Sequence, residues 1–216
     1  MGRPSMTPPR GNNADGSIRY RALAADDLDH VPLNCQGAPE AARARLADLG
    51  ATAILAFDAE QHIGQLQFRR YDPLLRTPNG LWDPLYWGDF GEHAPVMPRD
   101  TLAIFCFHVG QLDATDARDG RYQNRGIGLG LLDALIAWAR KNNYAALIAK
   151  HTPALPAVMG FMGGMSAPRY EQLGFRCLSS WVDAQLRDVV QQRGLIGPND
   201  DIDEAATVGC CGLELA

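Results

Sequence analysis

A surplus of positive charge, a long apolar run and a regular cysteine framework are all missing from this chain of 216 residues. Its 20 Lys and Arg face 25 Asp and Glu, for a net charge of -5. Five of those acids (Asp200, Asp201, Asp203, Glu204 and Glu214) fall after residue 194, where no base occurs; without them the charges balance at 20 each. A sequence-independent nucleic-acid binder needs excess Lys and Arg to displace counterions, so no nucleic-acid partner is expected. No apolar run approaches the roughly 18 residues that cross a bilayer, so no membrane partner is expected either. Residues 1–16 are rich in Pro, Gly, Asn and Arg and lack an apolar stretch. They read as a flexible tail and not as a signal peptide. The five cysteines (Cys35, Cys106, Cys177, Cys210 and Cys211) are odd in number and scattered. That pattern suits a reduced, cytoplasmic protein better than a disulfide scaffold, and it suggests no metal site.

What is present is ordinary globular material. Hydrophobic residues make up 46% and charged residues 21%, which excludes wholesale disorder. The length fits one generous domain over 17–216, with insertions at 72–100, 110–122 and 152–166. Apolar alternation predicts strands at 18–23, 51–57 and 62–70, the last two forming a hairpin around the polar turn 58–61. Asp26-Asp27 starts a helix near Leu28. A second helix covers 38–49, with Pro39 in its first turn and Gly50 as its cap. The nearly continuous apolar run 101–109 (TLAIFCFHV) predicts a central strand covered on both faces. Residues 126–141 make the best helix: Ile127, Leu131, Leu132, Leu135, Trp138 and Ala139 form its apolar face, and Asp133, Arg140 and Lys141 its polar stripe. Beyond it come strand 145–149, short helix 168–173, strand 175–182, helix 183–193 and strand 207–215. This order indicates a mixed α/β sheet covered on its faces.

Two short motifs carry chemistry. Gln123-Asn124-Arg125-Gly126-Ile127-Gly128-Leu129-Gly130 follows a buried strand and opens the best helix. Glycines there allow close backbone approach, and the unpaired N–H groups of a helix N-terminus bind anions, so a phosphate or pyrophosphate is the expected ligand. The dinucleotide fingerprint needs a third glycine at 131, which is Leu. A nucleoside-triphosphate loop needs a lysine, and the chain has only Lys141 and Lys150. The second motif is Tyr170-Glu171-Gln172-Leu173-Gly174-Phe175. Leu173 and Phe175 read as core, Gly174 as a helix cap, and Tyr170 as a hydroxyl one turn earlier.

In this order and separation the motifs resemble the GNAT superfamily of acyl-CoA-dependent N-acyltransferases. Gln123-x-x-Gly126-x-Gly128 is similar to its pyrophosphate signature, and the Tyr170 to Phe175 motif to its tyrosine element. The resemblance implies an α/β (α+β) fold with a splayed, mostly antiparallel mixed sheet flanked by helices. It implies acetyl-CoA as co-substrate, entering between the fourth and fifth strands and held by residues 123–130 and by Phe107, His108 and Val109. It also implies an amine that attacks the thioester directly while Tyr170 protonates the departing thiolate. His108 is the expected base; Asp89, Glu92 and His93 are further candidates. The Pro-rich segment 72–100 carries Trp82, Asp83, Tyr86, Trp87, Asp89 and Glu92, which would suit a small amine or a peptide acceptor. Gly163 and Ser166 stand where the family commonly has Asn and Ala, leaving His151 or Ser166 to make the missing contact. Residues 153–165 form either a mobile apolar lid or a packed loop. The final strand, placed at a sheet edge, could pair with a second copy to give a homodimer. A CoA-binding regulatory module without turnover is the alternative function.

Overall fold

The computed structural model describes residues 18–76, 89–112 and 117–215. Seven strands form one sheet: β1 (Arg19–Ala22), β2 (Ala53–Asp58), β3 (Gln61–Arg70), β4 (Thr101–Val109), β5 (Ala146–His151), β6 (Arg176–Val182) and β7 (Thr207–Glu214). Their spatial order is β1-β2-β3-β4-β5-β7-β6. Every neighbouring pair is antiparallel except β4 with β5. The protein is therefore an α/β fold on an open, mostly antiparallel mixed sheet.

Six helices accompany the sheet among the described residues: α1 (Pro39–Leu49), α2 (Ile127–Lys141), α3 (Pro156–Met162), α4 (Ala167–Glu171), α5 (Ala184–Arg193) and α6 (Ile202–Ala206). Local chemistry sets their ends. Pro39 occupies the first turn of α1, and Gly50 closes it in the left-handed conformation, φ 83°, its N–H returning to Leu46 O. The Asp183 side chain accepts the Leu186 amide at the start of α5.

The main core lies between α2 and one sheet face. Ile127, Leu131, Leu132, Leu135, Ile136 and Ala139 of α2 are buried with Leu66, Phe68, Leu102, Ile104 and Leu147. Trp138, expected on that apolar face, is half-buried and packs on Phe68 and Tyr144. On the other face Phe90 packs with Ala103, Ile148 and Cys210, while Leu23, Ala53, Leu55 and Phe57 form a separate patch. Cys210 and Cys211, adjacent on β7, thus project to opposite faces, Cys211 into the main core. Burial pushes the Cys211 thiol up to about 12.

Two expectations change. The helix near Leu28 is a single 3-10 turn, Ala25–Asp29. Segment 153–165, open between a lid and a packed loop, contains α3, whose Val158 is buried with Leu186, Val190, Ala205, Ala206 and Val208. The last strand is not at an edge. It lies between β5 and β6 with both sides paired, which leaves β1 and β6 as the edges and removes the expected route to a dimer.

Leu135→Ala should cost about 2–5 kcal/mol of unfolding free energy, because Leu135 is fully buried in the main core and its truncation leaves a cavity there. Urea unfolding followed by circular dichroism measures that loss.

Candidate active site

The site begins where β4 and β5 part. They pair only over Thr101–Ile104 and Ala146–Ala149. Against β3 the register jumps from Gln67↔Cys106 to Phe68↔Ile104, so Phe105 is an extra residue on β4. A bulge bends its strand and raises the local twist. Past Ile104, β4 continues with β3 alone, and β5 continues with β7 alone to His151. The sheet splits into a cleft whose walls are residues 105–109 and 150–151.

The segment 123–130 lies beside this cleft. A 3-10 turn, Gly120–Tyr122, is fixed by Asp119, whose carboxylate accepts the Arg121 amide, and the buried Tyr122 donates its hydroxyl to Asp58 at 3.2 Å. Gln123 then ties the segment to β4, its Nε2 donating to Val109 O at 3.1 Å. Asn124 (φ 57°) and Gly126 (φ 74°) adopt left-handed backbone, which Asn tolerates better than most residues and glycine accepts freely. The turn leads into α2 with Gly126 as N-cap, no capping side chain and no acid in the first turn. The Gln123 amide donates to Gly120 O and the Gly130 amide to Gly126 O. Between them, the amides of residues 124–129 donate to no described residue. Gln123, Asn124, Arg125 and Gly126 are exposed, and Arg125 is close enough to Tyr20 to pull its phenol against the upward push of burial. Undonated amides at the start of a four-turn helix, flanked by a guanidinium, are the donors that an anion site requires.

The glycines differ in purpose. Gly130 is a packing residue: a Cβ there would lie 2.3 Å from the Tyr20 hydroxyl oxygen. Its amide is used within the helix, so like the Gln123 amide it is not offered to a ligand. At Gly128 a Cβ would meet only Met165 Cε at 3.5 Å.

Tyr170 lies on α4 within the main core, 1% exposed. Its ring meets Phe107 edge-on at 6.5 Å and Phe175 at 5.2 Å. Its hydroxyl makes no hydrogen bond among the described residues. Burial holds the phenol well above its ordinary value, so it remains protonated. Phe107 and Val109 pack on this same core, and Phe107 O faces Gly163 across the cleft.

His108 points the other way. Its Nε2 lies 3.2 Å from Cys35 Sγ and 3.0 Å from Cys106 Sγ, on the face opposite Tyr170. On that far face Lys150 is buried, with Nζ 3.4 Å from Asp183 Oδ2 and 5.5 Å from the Trp181 ring centroid. Desolvation pulls the Lys150 ammonium below its ordinary value, and Asp183 opposes the shift. His93 stacks on Trp181 at 4.4 Å. Asp89 caps the Gly91 amide at 2.8 Å and lies 3.8 Å from Arg76, while Glu92 is exposed beside His93. Trp82, Asp83, Tyr86 and Trp87 lie outside the described residues.

Sequence reading missed Lys150 with Asp183 and Trp181, which converge from β5, β6 and the α5 cap. It also missed Cys35, whose partner is 71 residues away in the chain. Periodicity carries no signal for either meeting.

At the end of β5, His151 lies over Gly209 with Nδ1 3.2 Å from Thr152 O. Burial pulls it below 6.5. A group depressed on folding stabilises the fold above its unfolded value and loses that contribution as pH falls through the folded value. Unfolding free energy should therefore drop on acidification below about pH 6.5, and His151→Gln should make that drop shallower. Chemical denaturation at a series of pH values checks both.

No protein-family model and no curated protein sequence matches this chain. Solved structures do. An N-acetyltransferase from Staphylococcus aureus Mu50 aligns over 93% of this chain and 99% of its own, with 13% identity and a TM-score of 0.52. A mosquito arylalkylamine N-acetyltransferase, like 5b, aligns over 92% and 100%, with 16% identity and a TM-score of 0.52. At such identities the likeness is one of fold: the chain has the GNAT fold.

Proposed function

We propose that the protein is an acyl-CoA-dependent N-acyltransferase, most simply an acetyltransferase. The observation that carries the reading is the run of undonated amides over 124–129, set at the mouth of a cleft that the β4 bulge opens. A diphosphate satisfies those donors together, and Arg125 adds a charge-assisted contact. From there the pantetheine arm runs along β4 at Phe107, His108 and Val109, whose edge toward β5 has lost its strand partner. The thioester then lies beside Phe107 and Tyr170.

The reaction proceeds by direct attack. The amine nitrogen forms a bond to the thioester carbonyl carbon, and backbone amides of β4 stabilise the oxyanion. The C–S bond breaks, the Tyr170 hydroxyl protonates the leaving thiolate, the amine's proton passes to solvent, and solvent returns a proton to the Tyr170 phenolate. In this reading Tyr170 is available as the acid because it carries its proton and its hydroxyl makes no hydrogen bond among the described residues. The His108 imidazole is not used as base, because it lies on the opposite face between two cysteines. The acceptor is a small amine or a peptide, approaching past the segment that includes Asp89 and Glu92. Asp89 is already engaged by Arg76 and by the Gly91 amide, which limits it to a positioning role.

Acetyl-CoA and longer acyl-CoAs should raise the thermal midpoint while NAD leaves it unchanged, and a panel of amines should then release free thiol. Tyr170→Phe keeps the ring in its cavity. It should lower the transfer rate by about 10²–10⁴-fold and leave the CoA-induced thermal shift intact. Absence of any shift with CoA thioesters contradicts the reading. Binding without thiol release from any amine favours a regulatory CoA-binding module, and unaltered turnover in Tyr170→Phe removes the tyrosine as acid.

A further inference from the structure

Three soft donors converge on the face of β4 away from Tyr170. Cys35 Sγ lies 3.0 Å from Cys106 Sγ, and His108 Nε2 lies 3.2 Å and 3.0 Å from the two sulfurs. All three donor atoms fall within 4.8 Å of one another. Cys106 and His108 share a face because they are two apart on one strand. Cys35 comes from the 3-10 turn Asn34–Gln36, between β1 and α1, and is buried. Nothing in strand pairing or apolar packing requires a loop cysteine to meet this particular pair.

The surroundings supply a second, independent observation. On β3, Gln67 pairs with Cys106 and Gln65 with His108, so both glutamines stand beside the cluster on the same face. Both are fully buried. Neither polar atom of the Gln67 amide has a hydrogen-bond partner among the described residues, and neither has Gln65 Oε1. Leaving such groups unsatisfied costs about 1–3 kcal/mol each. Native proteins rarely leave several together without a ligand or an ordered water.

We propose that Cys35, Cys106 and His108 form a site for a tetrahedral, thiolate-preferring metal ion, zinc in the cell, with its fourth position filled by water or an outside ligand. Two sulfurs and one imidazole nitrogen are the donors this class of ion selects over carboxylate- or carbonyl-preferring cations. Zinc with sulfur at about 2.3 Å and nitrogen at about 2.0 Å needs edges of about 3.6–3.8 Å between donors. The triangle must therefore open by about 0.4–0.8 Å, most of it between the two sulfurs, within reach of small side-chain rotations. The buried amides of Gln65 and Gln67 then serve as hydrogen-bond partners for the fourth ligand. The metal would join the loop between β1 and α1 to the central strand. It does not depend on acyl-CoA chemistry, and it gives His108 a role that the transfer reaction does not.

The test is elemental analysis of full-length protein purified with reductant and dialysed against buffer containing trace zinc. Wild type should retain about one zinc per chain. Cys35→Ser, Cys106→Ser and His108→Ala should each lose most of it, while Cys177→Ser, which alters an exposed cysteine elsewhere, should keep it. Because a cluster variant could fail to fold, wild type is also loaded with cobalt(II). A thiolate-to-cobalt charge-transfer band with tetrahedral visible bands supports the site. Wild type that holds no zinc and gives no such cobalt spectrum overturns the proposal. A non-reduced digest in which the Cys35 and Cys106 peptides are disulfide-linked, under the conditions where zinc was expected, also overturns it.

Discussion

One interruption in hydrogen bonding organises the molecule. β4 and β5 are parallel partners only up to Ile104 and Ala149, because Phe105 is one residue too many for the β3 register. Had the ladder continued, the sheet would be closed and its backbone groups spent on one another. The bulge instead leaves the end of β4 paired on one side only, and it sets which way the last residues of the strand face. Phe107 and Val109 turn toward α2 and Tyr170, while Cys106 and His108 turn toward Cys35. A single extra residue therefore separates two sets of reactive side chains by the thickness of a sheet.

The start of α2 depends on the same end of β4. Gln123 reaches back to Val109 O, so the loop carrying the undonated amides is held at the strand terminus where the cleft begins. Left-handed backbone at Asn124 and Gly126 turns the chain into the helix. The closeness of Tyr20 to Gly130 lets β1 approach α2 from the other side. Anion affinity and helix packing are thus divided among neighbouring glycines: Gly126 for conformation, Gly130 for contact. Were these amides internally bonded, the loop would be a tight turn with nothing to offer a ligand.

Much of this was legible in sequence because it is local. The apolar run 101–109 and the one-sided pattern of 126–141 correspond to β4 and α2, and the cap expected at Gly50 closes α1. Short helices were harder. α3 and α6 are too brief to show a period; they form because Pro156 and Asp201 suit first turns and because Val158, Ala205 and Ala206 have a shared core to enter. Strand order was not legible at all, since β7 inserts between β5 and β6 only through long-range pairing. The same holds for side chains. Nothing near Cys35 in the chain announces Cys106, and the alternation of β4 could not show that its bulge puts His108 and Tyr170 on opposite faces.

The central claim is that the peptide amides of residues 124–129 receive the diphosphate of coenzyme A. Amide-resolved NMR of the isotope-labelled protein during titration with acetyl-CoA addresses it most directly. The account predicts that these amides move the furthest in the spectrum and saturate together, with the α5 amides on the far side unmoved. If acetyl-CoA leaves them in place, or if its largest perturbations fall elsewhere, the account is contradicted.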